Sequence, residues 1–246
     1  MDDLGWMGFL ALGLIAFGGA VLGGLSGFGA GLIVTPFLVP VVGVKGVVPV
    51  MAIAMTFGNL SRAWVYRDQI RPDLILRVLL PTLPGVLAGG LIYDILPRTP
   101  LAVLIGLFLL ASIPLRRWLD KRKVVPTPAA VIGISFLFGL VAGALPGGGV
   151  IVVPLLLGLG LAGGALVGTD AAIGAAVNIA KTLLYGRLDL LDETLLIGGV
   201  LVGLCMIPGA YAARWLIARI HLRIHTALIE AMVAFSGLSF LWSAFT

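Results

Sequence analysis

The chain has 246 residues, 60% of them hydrophobic and only 11% charged, with a mean hydropathy of +1.17. Soluble domains carry roughly 25% charged residues, so this composition excludes a compact water-soluble domain and implies an all-α polytopic membrane protein. The formal net charge of +5 invites a nucleic-acid partner, but the cations sit at the ends of apolar segments, where a positive-inside bias accounts for them; no nucleic acid is expected.

In chain order, the first apolar segment runs from about Trp6 to Leu25. It follows an acidic Met1-Asp2-Asp3 start, which reads as the lead into a retained helix rather than a secretory signal. A Gly-rich break, Ser26-Gly27-Phe28-Gly29-Ala30-Gly31, comes next, then a shorter segment to about Val44 and a third from Val47 to Tyr66. The fourth follows Arg71-Pro72-Asp73 and runs from Leu74 to Leu96, and the fifth runs from Leu101 to Leu115. Residues Arg116 to Lys123 form the one strongly basic linker. Beyond Pro126 and Pro128 the same order restarts: Ala129 to Leu145, the break Pro146-Gly147-Gly148-Gly149, then Val150 to Leu161. Ala165 to Tyr185, Thr194 to Ile217 and Ile224 to Trp242 complete the chain.

The restart is also visible in residues. Ser26 to Gly31 with Pro36 matches Ala144 to Gly149 with Pro154 at an offset of 118, and Asn59, Arg62 and Tyr66 match Asn178, Lys181 and Tyr185 at 119. Leu83-Pro84-Gly85 matches Ile207-Pro208-Gly209 at 124. Ordered matches at slowly drifting offsets imply an internal duplication: a first transmembrane repeat over 1–115, a basic cytoplasmic linker over 116–128 and a second repeat over 129–246. Each repeat has about five hydrophobic segments and opens with a Gly-broken hairpin.

With the basic linker cytoplasmic, Arg67, Arg71, Arg214, Arg219 and Arg223 fall inside, whereas Asp2, Asp3, Lys45, Arg98, Arg187, Asp189, Asp192 and Glu193 fall outside. The odd number of crossings per half then makes the repeats inverted. An alternative stays open, in which each initial pair is one broken span and eight spans form parallel repeats. Whether those pairs cross fully or are re-entrant is also open.

Inverted repeats with interrupted helices are the architecture of secondary transporters, with substrate near the midplane between the repeats. The two breaks, Ser26, Gly27, Gly29 and Gly31 in one half and Gly147, Gly148 and Gly149 in the other, are the first candidate binding elements. Non-helical backbone at membrane depth needs protein or a water-filled cavity around it, and a helix starting there aims free N–H groups and a positive dipole end at the gap. Tight turning or helix packing is the competing reading for either break alone; the matched pair favours a site.

The second constellation is Asn59, Arg62 and Tyr66, mirrored by Asn178, Lys181 and Tyr185, each trio on one helix face. A cation in an apolar span is costly unless it faces a cavity or a partner. Arg62 and Lys181 lie near their helix ends, so snorkelling to the headgroups competes; the symmetric repetition favours an anion path. Asp170, after Thr169, is read as a helix cap first and as a proton carrier second. Arg77, Asp94 and Glu230 receive no role.

Several classes find no support. The single Cys205 excludes an internal disulfide or thiolate cluster, and His221 and His225 read as interfacial, so no metal or other cofactor is expected. The chain has no Gly-x-x-x-x-Gly-Lys-Ser/Thr loop for ATP. Gly27 to Gly31 lacks the βαβ context of a dinucleotide loop. No nucleophile or metal set suggests an enzyme.

Taken together, these residues resemble the sulfite exporter TauE/SafE family of membrane permeases. The likeness spans nearly the whole chain and rests on Gly24-Leu25-Ser26-Gly27-Phe28-Gly29-Ala30-Gly31 running into Pro36, and on the copy from Gly143 to Pro154. It also rests on Gly168-Thr169-Asp170 leading into the helix of Asn178, and on Tyr185 followed by Gly186-Arg187-Leu188-Asp189. The resemblance implies passive or proton-motive transport of small sulfur-containing anions such as sulfite or sulfoacetate, outward, across a bacterial cytoplasmic membrane. The expected partners are therefore a small anionic substrate, the lipid bilayer and protons as coupling ion. Pro146 stands where the first break has Phe28, so the halves are expected to contribute unequally. The competing class is a non-transporting accessory or structural membrane subunit. The oligomeric state, a homo-oligomer included, is open.

Overall fold

The structure is a computed structural model that describes residues 6–26, 30–121, 126–216 and 222–245, with side chains described from 11–23, 30–115, 117–118, 126–216 and 230–245. Gly27, Phe28 and Gly29 of the first break therefore lie outside the described residues, as do the side chain of Ser26 and those of both histidines.

The described residues form helices throughout. They are α1 (Trp6–Ser26), α2 (Ala30–Val65), a 3-10 turn (Arg67–Gln69), α3 (Pro72–Ile95), α4 (Arg98–Lys121), α5 (Pro128–Ala144), α6 (Gly149–Gly158), α7 (Gly163–Arg187), α8 (Glu193–Leu216) and α9 (Leu222–Phe245). Five of them, α2, α3, α4, α7 and α8, are long and apolar enough to cross a membrane. Within α2, Gly43 takes φ 68° and ψ 170°, a conformation open chiefly to glycine. It divides the helix into a short arm, 30–42, and a long arm, 44–65, close to the boundary expected at Lys45-Gly46. With α2 so divided, each half of the chain has five helical pieces. At 10 residues and about 1.5 Å per residue, α6 is roughly 15 Å long, half of a ~30 Å hydrocarbon layer.

One expected boundary moves. Helix α4 continues to Lys121, through the first residues of the segment expected to be linker. No Gly or Pro stands between Arg116 and Lys121 to stop it, and Arg117 pairs with Glu230 of α9.

The main helix contacts are preserved when the halves are exchanged. Helix α3 packs on α5 as α8 packs on α1, α2 touches α8 as α7 touches α3, and α2–α7 and α4–α9 are their own counterparts. Between α3 and α5 the backbones touch. A Cβ on Gly139 would run into the Thr82 carbonyl, and one on Gly89 into the Leu140 carbonyl. Gly85/Gly89 and Gly139/Gly143 are each four apart, the small-residue spacing that brings helices close in lipid, where hydrophobicity does not drive association. Exposed leucines such as Leu76, Leu80, Leu87 and Leu91 line the outer face of α3, as an apolar solvent allows.

Contacts also order the two ends of the bundle. At one end Lys45 Nζ donates to the Asp94 carbonyl at 3.0 Å, Tyr93 Oη donates to the Lys45 carbonyl at 2.6 Å, and Gly46 meets Leu195. At the other, the Arg71 N–H donates to Thr169 Oγ1 at 3.1 Å, Arg214 donates to the Val65 carbonyl at 2.8 Å, and Gly164 meets Gln69. Helix α1 runs alongside α8, with Gly13 at Cys205 and Ala20 at Gly209, so it starts from the Lys45 end. Helix α5 runs alongside α3, with Gly139 at Thr82 and Gly143 at Val86 and Gly90, so it starts from the Arg71 end. Helices α1 and α5 thus enter the bundle from opposite ends, and Gly147 of the second break abuts Leu32 near the start of α2.

Candidate functional site

A cavity of about 100 Å³ lies between the start and the long arm of α2, the break between α5 and α6, and helix α7. Gly31, Asn59 and Arg62 line it from α2. Gly147, Gly148 and Gly149 line it from the break between α5 and α6, and Asp170, Asn178 and Lys181 from α7. Nine of the residues singled out in the sequence therefore come together at one place.

The second break owes its shape to local chemistry. Leu145 leaves α5 in an extended conformation, Gly147 takes φ +91°, and Gly148 caps α6. The N–H groups of Gly147 to Gly149 precede the ladder of α6 proper, whose first turn closes with Val150 N–H on the Gly147 carbonyl and Ile151 N–H on the Gly148 carbonyl. The apolar remainder of the wall includes Leu32, Phe138 and Val152.

Both cations point inward. Arg62 is 6% exposed and Lys181 5%, although Arg62 stands only one turn before the end of α2, so neither snorkels out of the bundle. Arg62 donates to Asn59 Oδ1 on its own helix and lies 3.7 Å from Asp170 Oδ2 on α7. The ammonium group of Lys181 donates to the Ala142 carbonyl at 2.7 Å, at the end of α5. Asn59 also packs its amide on Gly174, which lets α2 and α7 approach, whereas Asn178 donates to the Gly174 carbonyl at 2.8 Å on its own helix.

The tyrosines do not line the cavity. Tyr66 lies just past α2, with its ring 5.7 Å from the Arg214 guanidinium and against Gly168. Tyr185 is fully buried behind Lys181: its hydroxyl donates to the Gly143 carbonyl at 2.5 Å, and its ring sits 5.2 Å from Tyr93. Each lies about one turn beyond its cation, Tyr185 within α7 and Tyr66 just past the end of α2, with its ring against a neighbouring helix.

Asp170 departs from the expected cap. Gly160 and Gly163, at φ +87° and +56°, turn the chain early enough for α7 to begin at Gly163 after Ala162. Asp170 therefore lies two turns inside the helix, 5% exposed, while Thr169 serves the start of α3 by accepting the Arg71 N–H. Glu230 and Asp94, unassigned from the sequence, meet Arg117 and Lys45 respectively at the bundle ends. Sequence reasoning missed Met51 and Met55, which also line the cavity. The duplication held the signal: at the offset of 119 that pairs Arg62 with Lys181, Met51 corresponds to Asp170 and Met55 to Gly174.

Membrane-length helices packed around a cavity whose wall mixes apolar groups with buried cations are those of a polytopic membrane protein. The chain belongs to the sulfite exporter TauE/SafE family, whose model matches residues 11–240. Comparison with curated proteins and with solved structures finds no match.

Proposed function

We propose that the protein is a secondary transporter that exports small sulfur-containing anions, such as sulfite or sulfoacetate, across the cytoplasmic membrane by alternating access between two inverted repeats. One observation carries the reading: Arg62 and Lys181, one from each half, turn into the same cavity. Burying two cations in an apolar bundle is costly, and an incoming anion offsets that cost. The N–H groups at the start of α6 add donors without charge. A cavity of ~150 Å³ holds a molecule the size of benzene, so about 100 Å³ suits an anion of a few heavy atoms.

Alternating access is supported by the entry of α1 and α5 from opposite ends, so that rocking one repeat against the other uncovers the cavity to each side in turn. The Arg71–Arg214 end carries more of the cations, Arg67, Arg71 and Arg214 among them, and is assigned to the cytoplasm. Sulfite flux from loaded proteoliposomes tests the function. The wild-type protein is expected to release sulfite faster than empty liposomes, and the Arg62→Gln/Lys181→Gln variant is not. Equal rates for all three would leave an accessory subunit as the better reading. The sidedness has its own check in a Cys205→Ser background. An impermeant thiol reagent applied to cells should label a cysteine at Asp192 and spare one at Asp73, and the reverse pattern would overturn the assignment.

A further inference from the structure

Three ionisable side chains stand in the cavity wall among the described residues: Arg62, Lys181 and Asp170. They are not arranged symmetrically. Asp170 lies 3.7 Å from Arg62 across the α2–α7 interface. Lys181 meets a backbone carbonyl and has no ion pair among the described residues. The residue at the position equivalent to Asp170 in the first repeat is Met51, which lines the same cavity but cannot neutralise a cation. With all three groups ionised, two cations and one carboxylate leave a single net positive charge. A carboxylate fixed inside an anion site repels each charge the anion brings, so it weighs twice as heavily on a dianion as on a monoanion.

We propose that Asp170 is a tethered counter-anion: it neutralises Arg62 and sets the cavity to take a singly charged oxyanion on Lys181 in preference to a doubly charged one. Within the anions proposed above, the preference falls on hydrogensulfite and simple sulfonates over the doubly charged sulfoacetate, and sulfate is disfavoured in the same way. This rests on the cavity being the anion site. The role of Asp170 is to position charge and to select; Lys181 makes the contact.

Calorimetric titration of the purified full chain with methanesulfonate and with sulfate tests the proposal, with melting temperature as a check on folding. Wild type should bind methanesulfonate about tenfold tighter than sulfate, and Asp170→Asn should shift that ratio about tenfold toward sulfate. Arg62→Gln, which leaves the Asp170 carboxylate in the cavity wall without its cation, cancels the net positive charge there and should weaken both anions. Arg62→Gln/Asp170→Asn restores one net positive charge and should recover methanesulfonate binding to within about threefold of wild type. Because the double variant removes both members of the buried pair, it is the one expected to fold even if a single variant does not. A folded double variant as weak as Arg62→Gln would show that Arg62 itself holds the anion and would overturn the proposal while leaving the transport reading intact. An unchanged anion preference in Asp170→Asn would overturn it equally. A wild-type protein that binds neither anion would remove the anion site and the selectivity together.

Discussion

The two walls of the cavity match at an offset of 119 in the sequence and differ in chemistry. On α2 the sequence of side chains facing inward is Met51, Met55, Asn59, Arg62; on α7 it is Asp170, Gly174, Asn178, Lys181. The amide and the cation are shared; both cations are buried, as is Asn59, whereas Asn178 is half-buried. The first two positions are not shared, and there the α7 wall carries a carboxylate and a glycine where the α2 wall carries two thioethers. Asn59 fills the space left at Gly174, and Arg62 reaches Asp170, so the α2 cation is occupied by groups of the protein. Lys181 meets one carbonyl. Matching helix contacts in the two halves thus enclose a site that is one-sided.

That asymmetry is open to direct attack. Lys181→Gln should have the largest effect, lowering anion flux about a hundredfold, since a charged hydrogen bond contributes about 1.5–3 kcal/mol and every 1.4 kcal/mol is tenfold. Its melting temperature should hold, because a glutamine amide can still donate to Ala142. Arg62→Gln should lower flux less, about tenfold, yet cost more stability, on the order of 3 kcal/mol, because it strands the buried Asp170 carboxylate. Equal flux losses together with equal melting temperatures would mean that the two walls are equivalent after all.

The two breaks give a smaller contrast. Gly147→Ala forces a Cβ onto a residue at φ +91° crowded by Leu32 and should cost about 1–2 kcal/mol of stability. Gly31→Ala places its Cβ 3.6 Å from the Met51 methyl group, an ordinary contact, and should be close to neutral. Comparable melting temperatures for the two would contradict the strained second turn. The smallest pair concerns the tyrosines. Tyr185→Phe breaks a buried hydroxyl bond to Gly143 and should cost about 1 kcal/mol, with a secondary loss of flux through Lys181. Tyr66→Phe should change flux little, because that ring faces Arg214 and not the cavity.

Much of this molecule was legible from its residues. Hydropathy placed the segments, the second Gly-rich break marked the turn between α5 and α6, and the offset of 119 brought Asn59 and Arg62 into register with Asn178 and Lys181. These features are local or repeated, and local chemistry fixes them: a glycine at positive φ interrupts a helix where it stands, as at Gly43 and Gly147, whereas Pro36, Pro49, Pro84 and Pro208 lie inside helices, and an apolar run of about 20 residues suits a bilayer in any fold. The small-residue pairs that join α3 to α5 were also present in the sequence, as Gly85/Gly89 and Gly139/Gly143.

What the sequence could not decide is how each helix is rotated and which neighbour it meets. In a soluble helix the polar face marks the outside, but helices apolar on every side carry no such mark. Spacings of three and seven therefore placed Tyr66 and Tyr185 on the same stripes as their cations, and only packing turned the two rings away toward Arg214 and Gly143. The same holds for Asp170. Its place along α7 depended on where Gly160 and Gly163 turn the chain, and its partner on α2 lies 108 residues away in sequence. Composition and repetition determined that the chain would build two like halves in a membrane; the tertiary structure decided which way their charges face, because in lipid a buried charge is settled by whichever partner the packing brings within reach.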